Sequence, residues 1–482
     1  MPLIEPDAIN DGYDLVIGGT GFGSMFFLHG YLKRFPGHRV LLLEWGSYHD
    51  HAWQLENRRN SDLDCEHLYI RNKEEKPWFF NIGFGGGTNC WWAQTPRLAP
   101  NDFRLKSKYG VGEDWPLSYD DLEAYYMAAE QIMLVAGPND LDKLYPRSGA
   151  FPQPPHNMSS VDKVMKAAMP DHHFAVPTAR LRIPVSNRGS CCNSVACNLC
   201  PTEAKFTALN TFGPLVDLPN VHVIVNARVL AVEMAAGKAK GLRYSTGGRE
   251  QVVPGDLIAV GCNAIHTPFI LMRSGLQHPA LGKYLHEKSV LQFEVLLNGL
   301  NNFDGGIPTT GCNTLWLDGE HRREAGAALV YFVNHYQRDG LRIEWGRWQQ
   351  SLPFEVFVED LPQESNMVVD EGGDMPVVKH RSRSEYNRKG VERVLAKLPE
   401  LLAPLPVERV FRRDDLPTGF HIQGTCRMGA DPSSSVVDAD LVHHDIRNLL
   451  VLGTAVWPSC GTANPSLTAA ALSLRAADRI GG

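Results

Sequence analysis

The chain alternates between short, wholly apolar runs and longer stretches with one apolar face. Leu15-Val16-Ile17, entered from Asp14, reads as a short buried strand. The mostly apolar stretch from Met25 to Leu32 is long enough for a helix. Arg39-Val40-Leu41-Leu42-Leu43-Glu44 reads as a second buried strand that ends in an acid. Further along, Ser118 is placed to cap a helix running through Tyr125 and Tyr126. Residues 137–160 are rich in Pro and Gly and are expected to wrap the surface. From about 291 to 380 the pattern becomes strand-like alternation, as in Gln292-Phe293-Glu294-Val295-Leu296 and Phe354-Glu355-Val356-Phe357-Val358-Glu359. The last apolar run, Asn448-Leu449-Leu450-Val451-Leu452, is followed by a helix of small residues reaching Asp478. There is no internal repeat and no low-complexity run.

Composition narrows the class. At 482 residues, and roughly 150 residues per domain, two intertwined domains or one large α/β enzyme fit best. Hydrophobic residues at 43% and charged residues at 21% exclude a disordered, collagenous or coiled-coil chain. The net charge of −7 argues against a nucleic-acid surface. No uninterrupted apolar window reaches the length of about 18 residues that a membrane helix needs. Met1-Pro2-Leu3-Ile4-Glu5-Pro6-Asp7 lacks the basic start and apolar core of a secretory signal, so a cytoplasmic location is expected. Ten cysteines are too few for a disulfide scaffold.

The first strand runs into Gly18-Gly19-Thr20-Gly21-Phe22-Gly23-Ser24. With the helix and second strand this is a strand–glycine turn–helix–strand unit. Gly19 and Gly21 permit a tight turn and close approach of a pyrophosphate. The helix start then offers free amides and a partial positive charge. Ser24 occupies the place of the third glycine, where a small residue still permits close packing. Glu44, 25 positions after Gly19, is placed to bind ribose hydroxyls, which disfavours a 2′-phosphate and hence NADP. These residues alone leave NAD and FAD both open.

Several further motifs occur in one order along the chain. They are Gly83-Phe84-Gly85-Gly86-Gly87-Thr88-Asn89-Cys90-Trp91-Trp92, Gly282-Lys283-Tyr284-Leu285-His286, His421-Ile422-Gln423-Gly424-Thr425-Cys426, and Gly453-Thr454-Ala455 through Asn464-Pro465-Ser466-Leu467-Thr468. Taken together, the chain resembles the glucose–methanol–choline (GMC) flavin oxidoreductases from Asp14 to Asp478. The resemblance implies an α/β fold: a Rossmann-like FAD-binding domain interleaved with a substrate domain built on an antiparallel sheet. It implies 1–100, 188–290 and 440–482 for the first, and 101–187 and 291–439 for the second. It implies FAD held by Gly19, Gly21, Ser24 and Glu44 at the ADP half. Gly86, Gly87, Thr88, Asn89 and Cys90 would lie along the pyrophosphate and flavin, Val229 at adenine, and Ala455 and Thr468 near the flavin end. Some members bind the flavin covalently through a histidine in the glycine–aromatic stretch. Cys90 stands there in this chain, so non-covalent FAD is expected, although a thiol could form a thioether.

Alcohol oxidation needs a hydride acceptor and a base for the hydroxyl proton, and histidine suits the base near neutral pH. A second polar group should hold the oxygen as charge builds on it. The resemblance places this pair at His421 and Asn464.

Cys191, Cys192, Cys197 and Cys200 cluster in one loop. It resembles an iron–sulfur stretch of some glucose dehydrogenases, with one residue fewer in the last step. A plain cysteine-rich loop is preferred, with a cluster, zinc or a disulfide as alternatives and no metal assigned. On the substrate side, Tyr331, Trp345 and Trp348 are candidates for stacking on a sugar. The compact length and cysteine loop resemble flavin enzymes that oxidise the 6′-alcohol of aminoglycoside antibiotics such as paromamine. A cationic amino sugar suits an acidic enzyme with Glu359 and Asp374 on the substrate domain. A neutral sugar or glycoside oxidase and a redox-silent flavin lyase remain alternatives. Oxygen or another acceptor would re-oxidise the flavin.

Overall fold

The computed structural model describes residues 3–4, 12–335 and 344–481. Most of Met1–Asp7, on which the cytoplasmic expectation rests, lies outside the described residues. Two sheets organise the molecule. The first contains β1 (Tyr13–Gly18), β2 (Val40–Leu43), β5 (Val221–Ile224), β6 (Arg228–Ala235), β7 (Lys238–Thr246), β8 (Arg249–Val260) and β16 (Leu449–Val451). Its order is β5-β2-β1-β8-β7-β6, with β16 paired to β8. β1 runs parallel to β2 and to the end of β8, with Leu15 beside Val40 and Leu257. A parallel sheet is covered on both faces, so its strands are continuous apolar runs. That is why Val40–Leu43 is buried at every position.

The helix Phe22–Arg34 crosses from β1 to β2 and packs against the terminal helix Ser466–Arg479. The terminal helix is buried from Leu467 to Ala477, which explains its small residues. The first helix is longer at both ends than the stretch Met25 to Leu32 suggests: it starts directly from the glycine turn and stops at Phe35, where the following Pro36 disfavours helical backbone. The helix Asp120–Met133 starts just after Ser118, whose hydroxyl accepts from Asp121 N (3.3 Å) while the Asp121 carboxylate accepts from Ser118 N (2.8 Å).

The second sheet contains β4 (His173–Ala175), β9 (Ser289–Leu297), β10 (Thr309–Asn313), β11 (Ala328–Val333), β12 (Ser351–Val358) and β15 (Val407–Arg412). Its order is β15-β9-β12-β11-β10-β4, and every pairing is antiparallel. The outer face carries Phe293, Phe354, Val356 and Phe332, packed against Val394, Leu398 and Leu401 of the helix Glu385–Leu402. Each such side chain contributes about 1.5–3 kcal/mol by leaving water. The inner face, with Tyr331 and Phe357, turns toward the first sheet. A small third sheet joins β3 (Ile70–Arg71), β14 (Val377–Lys379) and β13 (Met367–Val369). No helix among the described residues is long and apolar enough to cross a membrane.

Candidate active site

A cavity of about 1150 Å³ lies between the first sheet and the inner face of the second. Its lining runs from the glycine turn after β1 to Tyr331, His421 and Asn464. Small drug-sized ligands occupy roughly 300–1,000 Å³. A dinucleotide together with a substrate fits the larger space.

The turn after β1 is shaped by Gly19, with φ +87°. A Cβ there would stand 2.6 Å from the Gly261 carbonyl oxygen, so no other residue fits. Glu44 follows β2 and lines the same end of the cavity. Its Oε2 accepts from Thr20 N (3.1 Å) and Thr20 Oγ1 (2.6 Å), and its Oε1 accepts from Gly46 N (3.0 Å). Burial pushes the Glu44 carboxyl above the usual range, and these donors work against that rise. Thr20 Oγ1 also accepts from Gly85 N (3.0 Å), so one hydroxyl ties the first glycine turn to the second. The two turns meet backbone to backbone, since a Cβ on Gly86 would be 3.1 Å from Gly21 Cα.

Gly19, Gly21, Glu44, Gly86, Gly87, Cys90 and Val229 all line the cavity. Ser24, Thr88, Asn89, Ala455 and Thr468 do not; they stand one layer behind the wall. Ser24 packs against Gly261. Thr88 Oγ1 donates to Gly85 O (2.7 Å) and accepts from Ala208 N (3.0 Å). Asn89 Nδ2 donates to Phe84 O (2.7 Å). Ala455 O accepts from Cys426 N (2.9 Å), and the Thr468 hydroxyl bonds that of Tyr126 (2.8 Å). These residues brace the turns, while their neighbours Thr20, Thr454 and Ala469 face the cavity. Thr20 carries a signal that sequence reading passed over: a hydroxyl between the two glycines of the turn.

At the other end, Asn464 Nδ2 lies 3.3 Å from His421 Nε2. Tyr331 donates its hydroxyl to Asn464 Oδ1 (2.6 Å). His421 is held below its ordinary value of 6.5, first by burial and then by Lys288 and Lys76. A neutral ring accepting at Nε2 carries its proton on Nδ1. Lys288 Nζ is buried without a hydrogen-bond partner among the described residues. Glu287 anchors the loop before His421: its Oε2 accepts from Thr418 Oγ1 (2.9 Å), Gly419 N (3.0 Å) and His421 N (3.4 Å). Its Oε1 pairs with Lys76 Nζ at 2.5 Å. A single oxygen placed between His421 Nε2 and Asn464 Nδ2 would donate to one and accept from the other.

The expected acids of the substrate side are rearranged. Glu359 is sealed against Arg322 (3.0 Å) and cannot meet a ligand. Asp374 lines the cavity but is bonded to Arg228 (2.9 Å), the neighbour of Val229. Trp345 is fully exposed and Trp348 lies 43% exposed; neither lines the cavity, whereas Tyr331 does. Glu355 lines it instead. The four loop cysteines are free thiols, with Cys197 buried and Cys192 exposed. Among the described residues no three His, Cys, Asp or Glu side chains form a metal-ligand group. Buried Lys205 donates to the carbonyls of Cys197 (2.7 Å) and Asn89 (2.6 Å), tying the cysteine loop to the second glycine turn.

Family models described as GMC oxidoreductase match residues 82–290 and 379–473, well over half of the chain. The chain belongs to the GMC oxidoreductases, an FAD-binding family, and is an oxidoreductase acting on alcohol groups. It is 28% identical to the fructose dehydrogenase large subunit of Gluconobacter japonicus, across 97% of each chain. It is also 28% identical to 6‴-hydroxyparomomycin C oxidase of Streptomyces lividus, across 99% of this chain and 93% of that protein. Among solved structures, pyridoxine 4-oxidase from Mesorbium loti superposes with a TM-score of 0.68 at 17% identity, covering 97% of this chain and 99% of that one.

Proposed function

We propose that this enzyme oxidises the primary alcohol of a cationic amino sugar, of the kind tailored in aminoglycoside biosynthesis, with non-covalent FAD in the cavity. FAD, when bound, supplies the hydride acceptor. Glu44 and Val229 would hold the adenosine end, and Gly19, Gly21, Gly86 and Gly87 the pyrophosphate. The division into 1–100, 188–290 and 440–482 against 101–187 and 291–439 is part of this reading. Cys90 lines the cavity, yet burial pushes its thiol up, away from the thiolate that a covalent bond to flavin would need.

His421 takes the hydroxyl proton at Nε2. Asn464 donates through Nδ2 to the same oxygen as negative charge builds on it. Tyr331 fixes the amide orientation that leaves Nδ2 facing the substrate. The observation carrying the chemistry is the convergence of Nε2 and Nδ2, 3.3 Å apart, on a dinucleotide-sized cavity. The amino-sugar class is supported by the likeness to 6‴-hydroxyparomomycin C oxidase.

A second reading, a neutral sugar, is favoured by the equal likeness to fructose dehydrogenase. The test is anaerobic addition of paromamine to the purified protein while the visible flavin spectrum is followed. Bleaching supports the amino-sugar reading. A flavin spectrum that bleaches with fructose or a glycoside and not with paromamine replaces it with the neutral-sugar reading.

A further inference from the structure

The inner face of the second sheet carries one polar row. Glu355 in β12 sits directly opposite Tyr331 in β11 and Gln292 in β9. Residues directly opposite on antiparallel strands share a face, with Cβ atoms about 5 Å apart. All three line the cavity. Tyr331 is the residue that bonds Asn464, and Phe357, two positions after Glu355 on the same face, has its ring 6.1 Å from that of His421. The carboxylate therefore shares a wall of the cavity with Tyr331 and Phe357, the two residues of this sheet that reach the alcohol-binding pair.

Its partners set it apart. Gln292 Nε2 donates to Glu355 Oε1 at 3.1 Å. Among the described residues no cation pairs with it. Other buried glutamates are matched by a cation, Glu287 by Lys76, Glu294 by Arg413, Glu130 by Arg97 and Arg147, and Glu359 by Arg322, while Glu44 at the opposite end of the cavity has three neutral donors. A half-buried carboxylate that faces a cavity with one neutral hydrogen bond is poorly compensated. Burial accordingly holds the Glu355 carboxyl above its usual range. A ligand that brings its own cation supplies the missing partner, and the Phe357 ring beside it favours an organic cation.

We propose that Glu355 is the specificity-determining residue of the pocket, binding a protonated amine of the substrate on the cavity wall that also carries Tyr331, the partner of Asn464. It rests on the alcohol-oxidation reading of the same cavity. It selects amino alcohols and amino sugars over their hydroxyl counterparts.

The test compares wild-type holoenzyme with Glu355→Gln and Glu355→Asp. The substrates are methyl glucosaminide and methyl glucoside, which differ by one amine for one hydroxyl. The wild type is expected to favour the glucosaminide in kcat/KM. Glu355→Gln is expected to lose on the order of 100-fold on the glucosaminide and to stay within about threefold on the glucoside. Glu355→Asp, which keeps the charge, is expected to retain the amine preference. Equal losses on both substrates, or an undiminished amine preference in Glu355→Gln, overturns the proposal. A wild type that prefers the glucoside overturns it without any variant. Calorimetric titration with paromamine reads the amine contact without turnover. If no alcohol bleaches the flavin, the oxidation reading fails; weaker paromamine binding by Glu355→Gln still supports the amine site. Equal binding by both proteins, or none by the wild type, overturns it.

Discussion

Tyr331 donates its phenolic hydrogen to Asn464 Oδ1 at 2.6 Å, which fixes which end of that amide faces His421. Without this donor the amide could turn its oxygen toward Nε2, and two acceptors would then confront each other. Tyr331→Phe removes the donor and keeps the ring packed on Phe357. A neutral hydrogen bond contributes about 0.5–1.5 kcal/mol, so kcat is expected to fall about 2- to 10-fold with FAD content unchanged. Stopped-flow measurement of anaerobic flavin reduction checks this. An unaltered reduction rate removes Tyr331 from the orienting chain.

His421 carries the proton chemistry alone, because an asparagine amide is not a base. His421→Ala is expected to lower kcat by about 10²- to 10⁴-fold while keeping the flavin spectrum. The pH dependence follows from the depressed histidine. Burial first, then Lys288 and Lys76, hold its folded value well below 6.5. The base is thus already neutral at pH 6.5, and kcat/KM is expected to be flat above that pH and to fall only on further acidification. Lys288→Met removes one of the two cations and moves that acid limb toward higher pH. For stability the sign is the same. A histidine less basic when folded destabilises the fold as pH drops below its unfolded value. A pH–rate profile of wild type and Lys288→Met decides it, and an acid limb that moves down or stays fixed contradicts the electrostatic role of Lys288.

The glycine turns were legible because local chemistry dictates them, whereas His421 and Asn464, 43 positions apart, were singled out only through the family resemblance, and the fold brings their side chains together. Gly19 and Gly86 hold positive φ where a side chain would strike backbone. Glu355 was not singled out, although its strand was. Alternation shows which residues share a face of one strand, but not which strands become neighbours. The row Gln292–Glu355–Tyr331 joins three strands through long-range pairing. Glu359 has the same parity as Glu355 and looked equally available. It lies just past the end of β12, where Arg322 from a distant turn seals it. Ser24, Thr88 and Asn89 do not line the cavity, because a motif gives the turn but not which side chains point out of it.

Glu287 holds the His421 loop through three donors and neutralises Lys76, whose ammonium burial lowers to about 8. Glu287→Gln leaves Lys76 buried without its counter-charge. Breaking a buried pair from one side costs about 3–5 kcal/mol. A clear fall in Tm is expected, and kcat should fall with it because the loop loses its anchor. The double variant Lys76→Met/Glu287→Gln is expected to recover part of the Tm and little of the kcat. Full recovery of both would mean that the pair acts on stability alone.

Thr20 binds two structures with one hydroxyl: Glu44 Oε2 at 2.6 Å and Gly85 N at 3.0 Å. Thr20→Val keeps the shape and removes the oxygen. Gly85 N then loses its acceptor in a buried place, and Glu44 loses its shortest donor. An unsatisfied buried group costs about 1–3 kcal/mol. That free energy is lost from the cradle formed by the two turns, so FAD affinity is expected to weaken by about 5- to 150-fold. Because His421 and Asn464 lie at the far end of the cavity, kcat at saturating FAD should stay near the wild-type value. Fluorescence titration of apoprotein with FAD measures the affinity, and assays in excess FAD measure kcat. Unchanged affinity would show that the two glycine turns hold their approach without Thr20. A loss of kcat at saturating cofactor would show that the turns also set the position of the flavin against the histidine.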